Sequence, residues 1–226
     1  MIGIIAAMQE EVVDIVSMMS GVEKKLIHET EFYVGTLSNK EVVVVRSGVA
    51  KINAVVSTML CLTNFPIDCI INIGSAGGLK EGMKLLDVVV STEVAQHDLD
   101  VGNERGKLSG QPRFVEGDAT LIAKAKEAAS TLTDIHVHEG LIVSGEQFIM
   151  TSAAKEIMEH FPNVACVEME AAAVGFTCYR MGVPFVVIRS VSDIPHQEGN
   201  GMTFEEYLPL AARNAARLTK AVVEMI

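Results

Sequence analysis

The sequence predicts an α/β fold: one three-layer domain whose mixed, mostly parallel sheet is flanked by helices. Three observations predict it. Short aliphatic runs recur along the chain, of the length expected for strands buried on both faces. Ala-rich or amphipathic segments of helical spacing separate most of them. No Pro/Ser/Gly-rich linker, charge block or internal repeat divides the 226 residues, a length that suits one large domain.

The elements follow in order. Ile2 to Ala7 is a buried strand, and Glu10 to Met19 carries Val12, Val13, Ile15, Val16 and Met19 at helical spacing. Phe32 to Leu37 and Glu41 to Arg46 flank Ser38-Asn39-Lys40 as a hairpin. Ile52 to Leu62 is an apolar helix. Asp68 to Ile73 is a strand entering a Gly-rich turn, Gly74 to Gly78, and Leu85 to Val90 is another strand. Gln96 to Arg113 is polar, with Gly102, Gly106, Gly110 and Pro112, and reads as a surface loop. A helix over Ala119 to Ala129, a strand over His136 to Val143 and a helix over Ala153 to His160 come next. Cys166 to Glu168 ends a strand, Ala171 to Met181 is a helix stopped by Gly182, and Pro184 to Arg189 is a strand. Thr203 to Glu206 has capping-box spacing and opens the last helix.

Composition narrows the function. With 49% hydrophobic residues the chain can bury a sizeable core; aromatics are 5% and Trp is absent, so aliphatics and twelve Met fill it. A net charge of -11 argues against a nucleic-acid backbone or an anionic membrane as partner. No apolar run reaches the length of a membrane span. The opening MIGIIAAMQEEV lacks a basic n-region and reads as part of the fold rather than a leader. Cys61, Cys69, Cys166 and Cys178 sit among apolar neighbours without C-x-x-C spacing, which points to buried reduced thiols and a cytoplasmic location.

Several motifs carry chemistry. Gly74-Ser75-Ala76-Gly77-Gly78 follows a strand; it either lets a ligand approach the backbone or is a plain turn. It is neither G-x-G-x-x-G nor a P-loop. Arg46-Ser47-Gly48-Val49-Ala50-Lys51 has the same two readings. Gln9-Glu10-Glu11 is either a functional acid or a helix start favoured by the dipole. Glu168 and Glu170 share one side of an extended segment with Met169 between them, and buried flanks favour a ligand role, such as accepting from adjacent sugar hydroxyls. Ser192-Asp193 is a turn or a general acid raised by desolvation. His97-Asp98 with Asp100, and His136-x-His138, offer metal-ligand types but no third or fourth ligand at convincing spacing. There is no G-x-S-x-G nucleophile elbow.

With these residues in hand, the chain resembles the 5′-methylthioadenosine/S-adenosylhomocysteine nucleosidases of the nucleoside phosphorylase-like family. The resemblance rests on IGIIAAMQEEV, SGVAKINA, INIGSAGGL, HDLDV, GLIVSGEQFI, VEMEAAAV and PFVVIRSVSD, in that order and over nearly the whole length. It implies that Glu11 deprotonates the attacking water and that Asp193 protonates purine N7, with Ser192 holding it. Glu170 would grip the ribose hydroxyls and Met169 pack on the sugar. Phe148 would stack on adenine, and the backbone at Ile149 would read its edge. Met8, Val49, Ser75, Ala76, Gly77, Glu168, Arg189 and Phe204 would complete the pocket. The family further implies a homodimer, no metal and no organic cofactor.

The chain departs from the family pattern at Ala6 and Ala50, usually Gly, and at Gln9, usually acidic. The segment from Gly102 to Lys107 is shorter and more charged than the aromatic-rich one usual there, so the preference for the 5′ substituent does not carry over. Two rival functions make different demands. A nucleoside phosphorylase needs cations beside its Gly-rich turns. A nucleoside-binding regulator needs neither Glu11 nor Asp193.

Overall fold

The computed structural model describes residues 1–195 and 204–226. In chain order the elements are β1 (Ile2–Ala6), α1 (Gln9–Ser17), β2 (Ser20–Ile27), β3 (Thr30–Leu37), β4 (Lys40–Arg46), α2 (Lys51–Asn64), β5 (Cys69–Gly78), β6 (Val88–Gln96), β7 (Val115–Glu116), α3 (Ala119–Ser130), β8 (Val137–Ser144), α4 (Thr151–His160), β9 (Val164–Glu168), α5 (Ala171–Met181), β10 (Phe185–Asp193) and α6 (Phe204–Met225). The strands form one sheet in the order β10-β6-β8-β9-β5-β1-β4-β3-β2, with β7 paired to β6. Because β10 also pairs with β5, the strands β10, β6, β8, β9 and β5 close into a ring. The strands β1, β4, β3 and β2 leave that ring as an open arm.

The sheet is mixed. Among the described residues, parallel pairings (β1–β4, β1–β5, β10–β5, β6–β8, β8–β9) match antiparallel ones in number. Helices cover both faces, so central strands bury alternate side chains on opposite sides. Ile2, Ile4, Val42, Val44, Ile71 and Ile73 meet α1, α3 and α6 through Val12, Ile15, Leu121, Ala125, Val222 and Val223. Ile5, Val43, Val45 and Ile70 face α2 and α5 through Ala54, Cys61, Ala172 and Cys178. A third apolar cluster joins α4 to the ring through Ala154, Ile157, Phe161, Leu141 and Val143.

Local chemistry sets the helix ends. Asp118 caps α3, its carboxylate accepting from the N–H groups of Thr120 and Leu121, both at 2.9 Å. Gly182, at φ 67°, ends α5 in the left-handed conformation. The Ser38-Asn39 turn joins β3 to β4 with φ 50° and 63°, a primed hairpin turn. Thr203 of the expected capping box lies outside the described residues.

The structure differs from the sequence reading in the balance of parallel and antiparallel pairings, in the short strand β7 and at four further places. Strand β2 was not expected. Ser20 to Leu26 are all exposed, so this edge strand has no buried face to impose a period of two. The Gly74 to Gly78 segment is not a turn but the second half of β5, and none of its glycines has positive φ. Ser192-Asp193 is not a turn either: it ends β10, which runs four residues past Arg189. Strand β6 starts at Val88 rather than Leu85 and continues to Gln96.

Candidate active site

The carboxyl ends of β1, β5, β9 and β10 meet at one cavity of ≈ 250 Å³. Of the expected site residues, Met8, Glu11, Val49, Ser75, Ala76, Gly77, Phe148, Ile149, Glu168, Met169, Glu170, Ser192, Asp193 and Phe204 all line it. Arg189 does not: it is buried just behind the wall, bonded to Glu168. Ala7, Gln147, Val167 and Pro195 line the cavity too. Sequence reading missed them because their neighbours carried the motifs and their own types carry no chemistry.

Glu11 is the third residue of α1. Its Oε2 accepts from the backbone N–H groups of Ala7 at 2.9 Å and Met8 at 3.1 Å, the acidic half of a capping box. Its Oε1 accepts from Ser75 N–H at 3.0 Å and Ser75 Oγ at 3.4 Å. The helix-start and ligand readings are therefore not alternatives, because the capping bonds aim the carboxylate into the cavity. Burial raises its proton affinity above the usual carboxylate range, although the Arg189 charge and the three N–H groups pull the other way.

Glycine in β5 now has a different cause from a turn. A Cβ on Gly74 would lie 2.8 Å from Glu11 Oε1 and 3.1 Å from Arg189 Nη1. One on Gly77 would lie 3.2 Å from Asp193 Oδ2 and 2.8 Å from Pro195 Cγ. These positions are kept bare so that two carboxylates can lie against the strand.

Glu168 and Glu170 divide sharply. Glu168 is saturated. Its Oε2 accepts from the N–H groups of Glu170 (2.9 Å) and Ala171 (2.8 Å) at the start of α5, and from Arg189 Nη2 at 2.5 Å. Its Oε1 accepts from Ser144 Oγ. Glu170 accepts one backbone bond, from Ala50 N–H at 2.7 Å to Oε1, while its Oε2 lies 3.8 Å from Arg189 Nη2. Burial, with the Glu168 charge behind it, pushes the Glu170 carboxyl up to about 8. Ala50 holds its bond at φ 81° and ψ 164°, a conformation nearly reserved for glycine.

Arg189 is enclosed by Glu11, Glu168 and Glu170. Burial works against its charge, but the three carboxylates more than offset that and hold it protonated. Nη2 also donates to Asn72 Oδ1 at 2.8 Å, whereas Nη1 is buried beside Glu11 with no hydrogen-bond partner among the described residues. A guanidinium stands at the centre of these acids, and among the described residues no His or Cys lines the cavity.

Asp193 sits past a bulge between Val191 and Asp193 in the β10–β5 register, a device that re-aims a side chain at a strand end. Burial raises its proton affinity, and the Ser192 hydroxyl, donating at 2.9 Å, moderates the rise. The rings of Phe148 and Phe204 meet edge to face at 5.4 Å on the cavity rim.

The phosphorylase superfamily model matches residues 1–224. The chain is 45% identical to the 5′-methylthioadenosine/S-adenosylhomocysteine nucleosidase of Exiguobacterium sp. strain AT1b, over 100% of this chain and 98% of that protein. The chain belongs to this nucleosidase family of the phosphorylase superfamily. Among solved structures, the Neisseria meningitidis nucleosidase in complex with methylthio-immucillin-A superposes with a TM-score of 0.95 at 41% identity, covering 100% of this chain and 99% of that one. A futalosine hydrolase mutant of Helicobacter pylori superposes with a TM-score of 0.93 at 31% identity, covering 100% and 99%.

Proposed function

We propose that this nucleosidase-family chain hydrolyses the N-ribosyl bond of 5′-methylthioadenosine and S-adenosylhomocysteine, releasing adenine and the 5-thio-ribose. One observation carries the reading. A single cavity gathers three carboxylates, Glu11, Glu170 and Asp193, whose proton affinities are all raised by burial. Carboxyls whose proton affinity burial raises suit the proton transfers of glycosidic bond cleavage.

In this reading Asp193 gives its proton to purine N7 as the bond from C1′ to N9 breaks, so the departing electron pair is neutralised on the base. Ser192 then donates to the carboxylate left behind. Glu170 accepts from the ribose 2′- and 3′-hydroxyls, its other oxygen anchored by Ala50. Met169 packs on the sugar, Phe148 stacks on adenine beside Phe204, and the backbone at Ile149 reads the base edge. Water sits between Glu11 and the unpartnered Nη1 of Arg189. Its oxygen attacks C1′ and its proton passes to Glu11. Glu168 touches none of the reacting atoms; it positions Arg189 and the start of α5. Met8, Val49, Ser75, Ala76 and Gly77 form the wall. No step calls for a metal or an organic cofactor.

The phosphorylase alternative loses its cation. Arg46 lies 3.1 Å from Glu31 and donates to Gln9 at 3.2 Å, so both amino groups are engaged away from the cavity. We further propose a homodimer formed through α2 and α5, where Ile52, Val55, Val56, Tyr179 and Met181 are exposed on neighbouring helices. A cytoplasmic setting is supported by four buried, unpaired thiols, and no helix among the described residues is long and apolar enough to cross a membrane.

The test is release of the free purine base in phosphate-free buffer across methylthioadenosine, S-adenosylhomocysteine, 5′-deoxyadenosine, adenosine and inosine. Release from the first two is expected. A requirement for phosphate with ribose 1-phosphate as product would make the enzyme a phosphorylase. Calorimetric binding without release would make it a regulator. Light scattering at the mass of one chain would remove the dimer.

A further inference from the structure

The fold supplies a ligand that the His136-x-His138 motif lacked. Asp87, 51 residues upstream of His138, brings a carboxylate oxygen to 2.8 Å from His138 Nε2. His136 completes the group: one donor atom from each of Asp87, His136 and His138 lies within 4.8 Å of the other two. The register explains why. Val88 of β6 pairs with Val137 of β8, and Val88 N–H donates to the His136 carbonyl at 2.8 Å. Asp87 therefore enters the sheet level with His136, and the two histidines, two residues apart, share one face. Their rings meet edge to face at 4.6 Å.

We propose that Asp87, His136 and His138 bind one divalent transition metal ion of the imidazole-preferring kind, with Zn²⁺ the simplest example. Two imidazoles and one carboxylate are a donor set for such ions, and in a tetrahedral site of usual bond lengths the ligand atoms stand roughly 3.4 Å apart. One spacing, 2.8 Å, lies just below that value and all lie within 4.8 Å, so binding needs only side-chain adjustments as the metal takes the place of the hydrogen bond between His138 and Asp87. The carboxylate is already oriented by a second contact, from Lys84 N–H at 2.9 Å, the kind of outer support that fixes ligands. Asp87 is buried and His136 is exposed, which leaves one open side for entry and for a water ligand.

None of the three side chains lines the cavity. The site lies where β6 and β8 begin, while β8 reaches the cavity region only at Ser144, six residues and about 20 Å further along. Its effect is on stability, through strand β10. Val191 N–H donates to the Asp87 carbonyl at 2.8 Å, and Leu86 N–H donates to the Val191 carbonyl at 2.8 Å. Clamping Asp87 to β8 therefore pins β6 and β8 against β10, two residues before Asp193.

The experiment uses the full chain after chelator treatment and desalting, with Zn²⁺ alone as the probe, followed by calorimetry and by thermal unfolding. One equivalent should bind with a dissociation constant in the micromolar range or tighter. At a hundredfold excess over that constant the midpoint should rise by about 5 °C. His136→Ala, at an exposed position, should weaken binding at least tenfold and erase the rise. His138→Ala should do the same, and His28→Ala should change neither. The proposal is overturned if no single saturable equivalent binds below about 100 μM, or if His136→Ala binds as tightly as the parent chain. Because Zn²⁺ binding is read without substrate, its failure leaves the nucleosidase reading untouched.

Discussion

Gly74→Ala tests the positioning of Glu11 without touching its carboxyl. The backbone at Gly74 is ordinary extended strand, so alanine is conformationally acceptable there and gains up to about 1 kcal/mol from a less flexible unfolded chain. The new Cβ, however, lies 2.8 Å from Glu11 Oε1 and 3.1 Å from Arg189 Nη1, where ordinary contact begins at 3.4 Å. Glu11 must retreat by about half an ångström, away from the Ser75 N–H at 3.0 Å. Overpacking of this kind costs about 1–3 kcal/mol, and a weakened bond to a charged acceptor about 1.5–3 kcal/mol. A net destabilisation of about 2–4 kcal/mol leaves a folded enzyme. Misplacement of this order should cut kcat by roughly 10- to 100-fold, or about 1.4–2.7 kcal/mol of barrier. The assay pairs adenine release at saturating methylthioadenosine with urea unfolding. Gly78→Ala is the control: its Cβ meets Met83 Sδ at 2.9 Å, a side chain that can swing aside, so turnover should be largely kept. Full turnover in a folded Gly74→Ala enzyme would refute the argument that the bare strand exists to seat Glu11.

Asp193→Asn should lower kcat by about 10²–10⁴-fold at unchanged fold, measured by adenine release and circular dichroism; near-parental turnover removes Asp193 from the chemistry. Stability should fall as pH rises from 5 to 8. Glu170 has a folded pKa of about 8 against 4.5 unfolded, so the folded chain holds the extra proton in that window and loses the benefit as pH climbs through the folded value. The slope should amount to no more than a few kcal/mol in urea titrations, and Glu170→Gln should flatten it; an unchanged slope contradicts the assignment. Ala50→Gly should raise the unfolding free energy by about 1 kcal/mol, seen as a higher urea midpoint, because relief of strain at φ 81° exceeds the added chain entropy. A lower midpoint would mean that the backbone there is not strained.

Most of the sheet was legible because its central strands are buried on both faces and leave aliphatic runs, as in Ile2 to Ala6 and Val42 to Val45. Helix α5 was legible to the residue because Gly182 marks its end. Strand β2 was not, since no residue from Ser20 to Leu26 is buried. The Gly74 to Gly78 segment misled for a reason outside the local sequence. Its glycines answer to carboxylates delivered by α1 and β10, and only the assembled sheet brings those together. The same holds for Glu168 and Glu170. Two acids on one side of a strand end are visible in the sequence; that Arg189 consumes one and leaves the other a free oxygen is not.

The ring and the arm divide the sheet along a line that also divides the reaction proposed above. Glu168, Glu170, Asp193 and the Phe148 segment hang from strands of the closed ring, where every strand has neighbours on both sides. Glu11 is delivered by α1, which follows β1 of the open arm, and reaches the ring at Ser75 of β5. In the proposed reaction the water-activating acid and most of the nucleoside's seat are therefore anchored in separate parts. Substitutions around β1 and α1 should then alter the attacking group while leaving the ring's part of the nucleoside's seat in place.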